Sequence, residues 1–181
     1  MRFILKYITL QLIFILLLPC KVFALQSRTA EDLDLLYDKV WFTYTREQKL
    51  DYLLTYLNDI NNDLGLLGDD AIPAKRVVLM PENSIWFNKA TGCYLRNGYI
   101  YLRLTTGWGA DNLRTLAHEM RHAYQDTYDR LIWETDIYTD HMSYTKNVRE
   151  TDANVYALQY VEKLLAYNDY KPESKFQSNF K

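Results

Sequence analysis

The sequence predicts an α+β fold, a small mixed or antiparallel sheet packed against one helix bearing two histidines and a second helix that follows it. Three observations predict it. Short β-rich runs divided by turn residues occupy the middle of the chain, residues 76 to 104. Apolar residues recur at helical spacing before and after them. The stretch TLAHEMRHAYQ, residues 115 to 125, sets His118 and His122 four apart, one helical turn, with Glu119 beside the first.

In chain order, residues 1 to 24 stand apart. Arg2 and Lys6 precede an apolar run from Tyr7 to Leu18, and Val22-Phe23-Ala24 closes it. This is the pattern of a secretory signal cleaved after Ala24, and the apolar run is shorter than the roughly 20 residues that span a bilayer. The expectation is an exported protein without stable membrane insertion after cleavage. The alternatives are a retained N-terminal anchor or lipidation at Cys20. One domain, residues 25 to 168, follows, with a loose polar tail over 169 to 181.

Residues 30 to 68 carry helical periodicity and end in Asn, Asp and Gly, which predicts one or two helices closing before Asp69. RVVLM (76–80) and SIWFN (84–88) read as strands. In CYLRNGYIYLRL, Asn97-Gly98 lies between two β-prone runs and predicts a hairpin with a two-residue turn. The second strand alternates Tyr99, Tyr101 and Arg103 with Ile100, Leu102 and Leu104, so one face is buried and the other meets a cleft or solvent. Asp111 is the expected N-cap of the histidine helix, which runs to about Gln125. A second helix is expected from Val148 to about Ala166.

The composition is that of a globular domain with a real core, 49% hydrophobic and 24% charged over 181 residues. Without residues 1 to 24 the chain keeps 18 basic against 23 acidic residues, a net charge near −5. That balance leaves no general electrostatic footprint for nucleic acid. Cys93 remains alone after the signal, so no internal disulfide supports the domain; it reads as a small buried strand residue. The 16 tyrosines fit a tyrosine-rich cleft or outer surface.

The chemistry sits on the histidine helix. His118 and His122 point at one metal ion, and Glu119, one position round, reaches a water on that ion as general base. Leu113, Leu116, Ala117, Met120, Ala123 and Tyr124 form the opposite, core-facing side. Catalytic zinc takes three protein ligands and leaves one position open. Glu150 is the candidate third ligand, since it shares a face with the small residues Ala153 and Ala157 that let two helices approach, while Asp152 points elsewhere. His141 is the rival ligand, equally acceptable to zinc.

H-E-x-x-H followed by a glutamate opening E-x-x-A-N-x-Y-A resembles gluzincin-type zincin metallopeptidases, closest to the ImmA/IrrE-like group, over about residues 76 to 165. SprT-like proteins are a second resemblance, through His141. The resemblance implies a zincin-like fold and zinc-dependent hydrolysis of a peptide or protein substrate. It also implies an oxyanion donor, for which Tyr144, Tyr156 and His141 are candidates. The strand of Tyr99, Tyr101 and Arg103 is expected to be the edge that pairs with an extended substrate. The readings from other classes are an exported binding protein on the same scaffold without catalysis, and a zinc hydrolase or toxin acting on a non-peptide substrate.

Overall fold

The computed structural model describes residues 25–81, 84, 90–135 and 147–172. The proposed signal with Cys20, most of the run 84–88, His141, Tyr144 and residues 173–181 lie outside them.

Where one or two helices were expected before Asp69, there are three short ones: α1 (Ala30–Asp34), α2 (Arg46–Leu54) and α3 (Leu57–Leu64), with a 3₁₀ segment at Lys39–Thr43. The breaks follow local capping chemistry. Thr29 and Thr45 cap α1 and α2, each with a side chain three residues on reaching back to the cap amide. Gly65 ends α3 in the left-handed region, φ 73°. Each helix is amphipathic enough to bury Leu33, Leu53 and Ile60 completely.

β1 (Val77–Leu79), β2 (Gly92–Leu95) and β3 (Tyr99–Leu102) form a mixed sheet in the order β1-β3-β2, β1 parallel and β2 antiparallel to β3. The hairpin is present, but its loop has three residues because Leu95 pairs with Tyr99. Only Gly98 of the loop takes positive φ, 80°, and its amide donates to the Leu95 carbonyl. The expected alternation holds: Ile100, Leu102 and Leu104 are buried, Tyr99 is exposed, and Tyr101 and Arg103 are half-buried. The expected edge role of this strand does not hold. β3 is the middle strand, with both of its edges already hydrogen-bonded. Among the described residues, the unpaired side of the hairpin belongs to β2.

The histidine helix, α4, spans Gly109–Tyr128; a short α5 (Arg130–Thr135) follows, and α6 spans Val148–Tyr167. Asp111 is not the N-cap of α4. Trp108 takes that position, and the Asp111 carboxylate, three residues in, accepts the Trp108 amide at 3.0 Å. The helix starts early because its first turn docks on the end of α1. Ala110 N–H donates to Leu36 O, and a Cβ on Gly109 would lie 2.7 Å from the Leu36 Cα.

Among the described residues, four tyrosines tie elements together, and one of them, Tyr94, also borders the cavity at the site. Their hydroxyls reach aspartates across the fold, Tyr94 to Asp126, Tyr128 to Asp70, Tyr156 to Asp63 and Tyr170 to Asp34. The last contact involves the first residues of the expected tail. Asp169, at φ 47°, turns the chain so that Tyr170 N–H returns to Leu165 O and its ring stacks on Tyr37. The other end is held by Arg28, which pairs with buried Asp59 at 2.8 Å, lies over the Tyr56 ring, and donates its backbone amide to Asn168. No helix among the described residues is long and apolar enough to cross a membrane.

Candidate metal centre

α4 is buried on both sides. Leu113, Leu116, Ala117, Met120 and Ala123 enter the core as expected, and the opposite side is covered by β2 and α6. On α6, Asn147 caps the first turn by accepting the amides of Arg149 and Glu150, which places Glu150 at the helix start. Ala153 and Ala157, both buried, present the small surface that lets α6 close on α4.

This packing brings together the three residues chosen from spacing. His118 Nε2 and His122 Nε2 are 3.1 Å apart, and Glu150 oxygens lie 3.2 Å from the first and 3.4 Å from the second. All three side chains are buried. They form a group that can hold a metal ion.

The hydrogen bonds around His122 set the orientation of its ring. Its Nδ1 is 2.8 Å from Gln125 Oε1. The orientation of that amide follows from its other contacts, because Gln125 Nε2 faces two pure acceptors, Asp152 Oδ2 at 2.6 Å and the Arg149 carbonyl at 3.1 Å. The amide oxygen therefore faces His122, and Nδ1 carries the proton. Nε2 is then the His122 nitrogen that faces His118 and Glu150, where an ion held by the group would sit.

Asp152 does point away from the centre, but it is not idle. Arg121 grips it through two hydrogen bonds, at 2.7 and 3.1 Å, while lying over the Tyr124 ring. Burial opposes charge on Asp152, yet the bonds from Arg121 and Gln125 outweigh it and hold its carboxyl below the usual range. Arg121, Asp152 and Gln125 thus form a chain of fixed groups ending at His122. The i, i+3 spacing of His122 and Gln125 on one helix was the available sequence signal for it.

Glu119 lies beside this group, against β2. The Tyr94 backbone amide donates to its carboxylate, and a Cβ on Gly92 would sit 2.7 Å from Glu119 Oε1 and 2.7 Å from Thr115 Cγ2. Only a glycine lets the strand come this close. Burial pushes the Glu119 carboxyl up to about 7, helped by the Glu150 charge and opposed by His118, the Tyr94 amide and Arg149. Gly92 and Tyr94 are therefore site residues that motif reading missed.

The centre opens to a cavity of about 510 Å³ along β2, bordered by Gly92, Cys93, Arg96, Glu119 and Arg149. Cys93 is in a strand as expected, but half-buried and lining this cavity rather than buried in the core. Burial and the Glu119 charge push its thiol up to about 11, so it is protonated and weakly nucleophilic at neutral pH. Tyr156 is not at the centre. Its hydroxyl reaches Asp63 on α3 at 3.2 Å, because it lies on the opposite side of α6 from Glu150. Tyr99, Tyr101 and Arg103 do not border the cavity either.

No family model, no curated protein and no solved structure matches this chain.

Proposed function

We propose that the chain is an exported zinc metallopeptidase of zincin type, with zinc held by His118, His122 and Glu150 and Glu119 as general base. The observation that carries this reading is the burial of two imidazoles and a carboxylate within 3.4 Å of one another, beside a second carboxylate that faces the same cleft. The donor set fits the metal. Tetrahedral zinc with bonds of about 2.0–2.2 Å keeps its ligands about 3.3–3.5 Å apart; here the two Nε2 atoms stand 3.1 Å apart, with one Glu150 oxygen 3.2 Å from His118 and the other 3.4 Å from His122. Three protein donors leave a fourth position open, as in catalytic sites.

When bound, zinc supplies a Lewis acid for the scissile carbonyl and lowers the pKa of a water it binds. The remaining steps belong to side chains of this protein. Glu119 takes a proton from the attacking water as its oxygen bonds to the carbonyl carbon. It then delivers that proton to the amine nitrogen as the C–N bond breaks, leaving a carboxylic acid and an amine. A carboxyl raised by burial suits both halves of this exchange, and Tyr94 N–H with the close-packed Gly92 holds it in place. Gln125 keeps His122 in the tautomer that offers Nε2 to the metal. The unpaired side of β2 is where the backbone of an extended substrate adds as a further strand. Export rests on the sequence of residues 1 to 24.

The test is metal content together with cleavage of a random peptide library by wild type and Glu119→Gln. Stoichiometric zinc in both proteins, with cleavage by wild type alone, is expected. Absence of zinc, or equal activity in the two proteins, overturns the reading in favour of a non-catalytic exported binding protein.

A further inference from the structure

A second cavity, about 180 Å³, opens at His118. Arg114 of α4, Asn154 of α6 and Thr91, one residue before β2, border it together with Asp111 and Thr115. His118 belongs to the group that can hold a metal, so a ligand seated in this cavity lies against that group. The volume is that of roughly six waters at liquid density. It has room for one side chain or one chain end, not for a run of strand.

The polar groups of this cavity divide into engaged and available ones. Thr115 Oγ1 donates to the Asp111 carbonyl at 3.1 Å, and Asp111 Oδ2 accepts the Trp108 amide at 3.0 Å. Asp111 also stands in the first turn of α4, where the helix dipole offsets its charge. Arg114 has no such offset. It is half-buried and, among the described residues, has no hydrogen bond or ion pair, not even with Asp111 three positions before it. Its charge does reach the Tyr37 hydroxyl, but that group stays protonated at neutral pH and does not neutralise it. The side chains of Asn154 and Thr91, both exposed, likewise have no hydrogen bond among the described residues.

Three separate segments thus each bring one available donor to one small cavity: a guanidinium, a carboxamide and a hydroxyl. Guanidinium matches the two oxygens of a carboxylate in shape and charge, and the neutral donors can fill its remaining lone pairs. Resting on the peptidase reading, we infer that this cavity selects a substrate carboxylate beside the scissile bond, held by Arg114 with Asn154 and Thr91. In a peptide that carboxylate belongs to an acidic side chain or to the chain end.

The whole chain, loaded with zinc, is given alanine-rich hexapeptides in matched pairs. One pair, blocked at both ends, differs by Glu or Gln at each position in turn; the other differs by a free or an amidated C-terminus. The carboxylate member of one pair is expected to have about tenfold higher kcat/KM, the scale of one hydrogen bond to a charged group, and Arg114→Gln is expected to erase that preference. Glu over Gln assigns the side chain, free acid over amide the chain end. Equal rates within both pairs, or a preference that survives Arg114→Gln, overturn the inference. Calorimetric binding of the same peptides to Glu119→Gln, with and without Arg114→Gln, reads the cavity without turnover. Carboxylate-selective binding that needs Arg114, without any cleavage by wild type, sustains the cavity and overturns the peptidase reading. Cleavage without carboxylate preference overturns the cavity alone, and the absence of both cleavage and selective binding overturns the two together.

Discussion

His122 and Gln125 meet across one turn of a single helix, Nδ1 to Oε1 at 2.8 Å, and the same amide reaches the neighbouring helix at Asp152 and the Arg149 carbonyl. One side chain therefore sets the tautomer of an imidazole in the group that can hold a metal and also ties its helix to the start of the helix that carries Glu150. Gln125→Ala removes both functions. The expected result is a loss in metal affinity of about 10- to 100-fold, the usual range for such supporting groups, measured by competition with a chromogenic chelator. Wild-type affinity in this variant would show that the amide does not position His122.

Gly92→Ala tests the close approach of strand and base. The added methyl would meet Glu119 and Thr115 at 2.7 Å, so β2 must move or Glu119 must rotate. On the peptidase reading, peptide cleavage is expected to fall about tenfold or more, part of what a positioned base contributes, while zinc content stays near one per chain, because the atoms nearest the added methyl belong to Glu119 and Thr115. Full activity would mean that the proposed base, Glu119, tolerates displacement from the strand.

Arg28→Ala leaves Asp59 buried without its partner. Breaking a buried pair on one side costs about 3–5 kcal/mol, and the loss is read as a lower midpoint in urea denaturation. Replacing both residues with apolar ones of similar volume is expected to recover much of it. A change below about 0.5 kcal/mol, the scale of an exposed substitution, would show that this strap does not hold the N-terminal segment to the domain.

The alkaline limit of stability carries a defined sign. Burial, then the Asp111 charge, pushes the Tyr37 hydroxyl up to about 12 from an ordinary value of 10.0. A group with a raised folded value stabilises the fold fully below its unfolded value, and that contribution disappears as pH rises through the folded one. Between about pH 10 and 12 this single group removes about 1.4 kcal/mol per pH unit. Urea denaturation at pH 9 and 11 is expected to show a smaller drop in Tyr37→Phe than in wild type. An equal drop would mean that Tyr37 ionises freely in the fold.

Much of the centre was legible before any coordinates. His118, Glu119 and His122 are a local pattern, since helix geometry alone puts residues four apart on one side. Glu150 was legible because the small residues at 153 and 157 mark the side of α6 that another helix can approach. The hairpin was legible from Asn97-Gly98, although its loop is one residue longer than a two-residue turn. The break-up of residues 30 to 68 into three helices was carried by threonine caps and Gly65, signals that average periodicity hides.

The sequence by itself determined which residue types lie on which side of each helix and strand, because those relations are set by backbone periods of 3.6 and 2 residues. Only the tertiary structure decided which strand of the hairpin keeps an open edge, that Gly92 meets Glu119, that Gln125 meets Asp152, and that Tyr156 turns to Asp63 instead of the centre. Those contacts join residues 27 to 93 positions apart. No local period relates such positions; their meeting depends on how whole elements pack, which is settled by the burial of every apolar side at once.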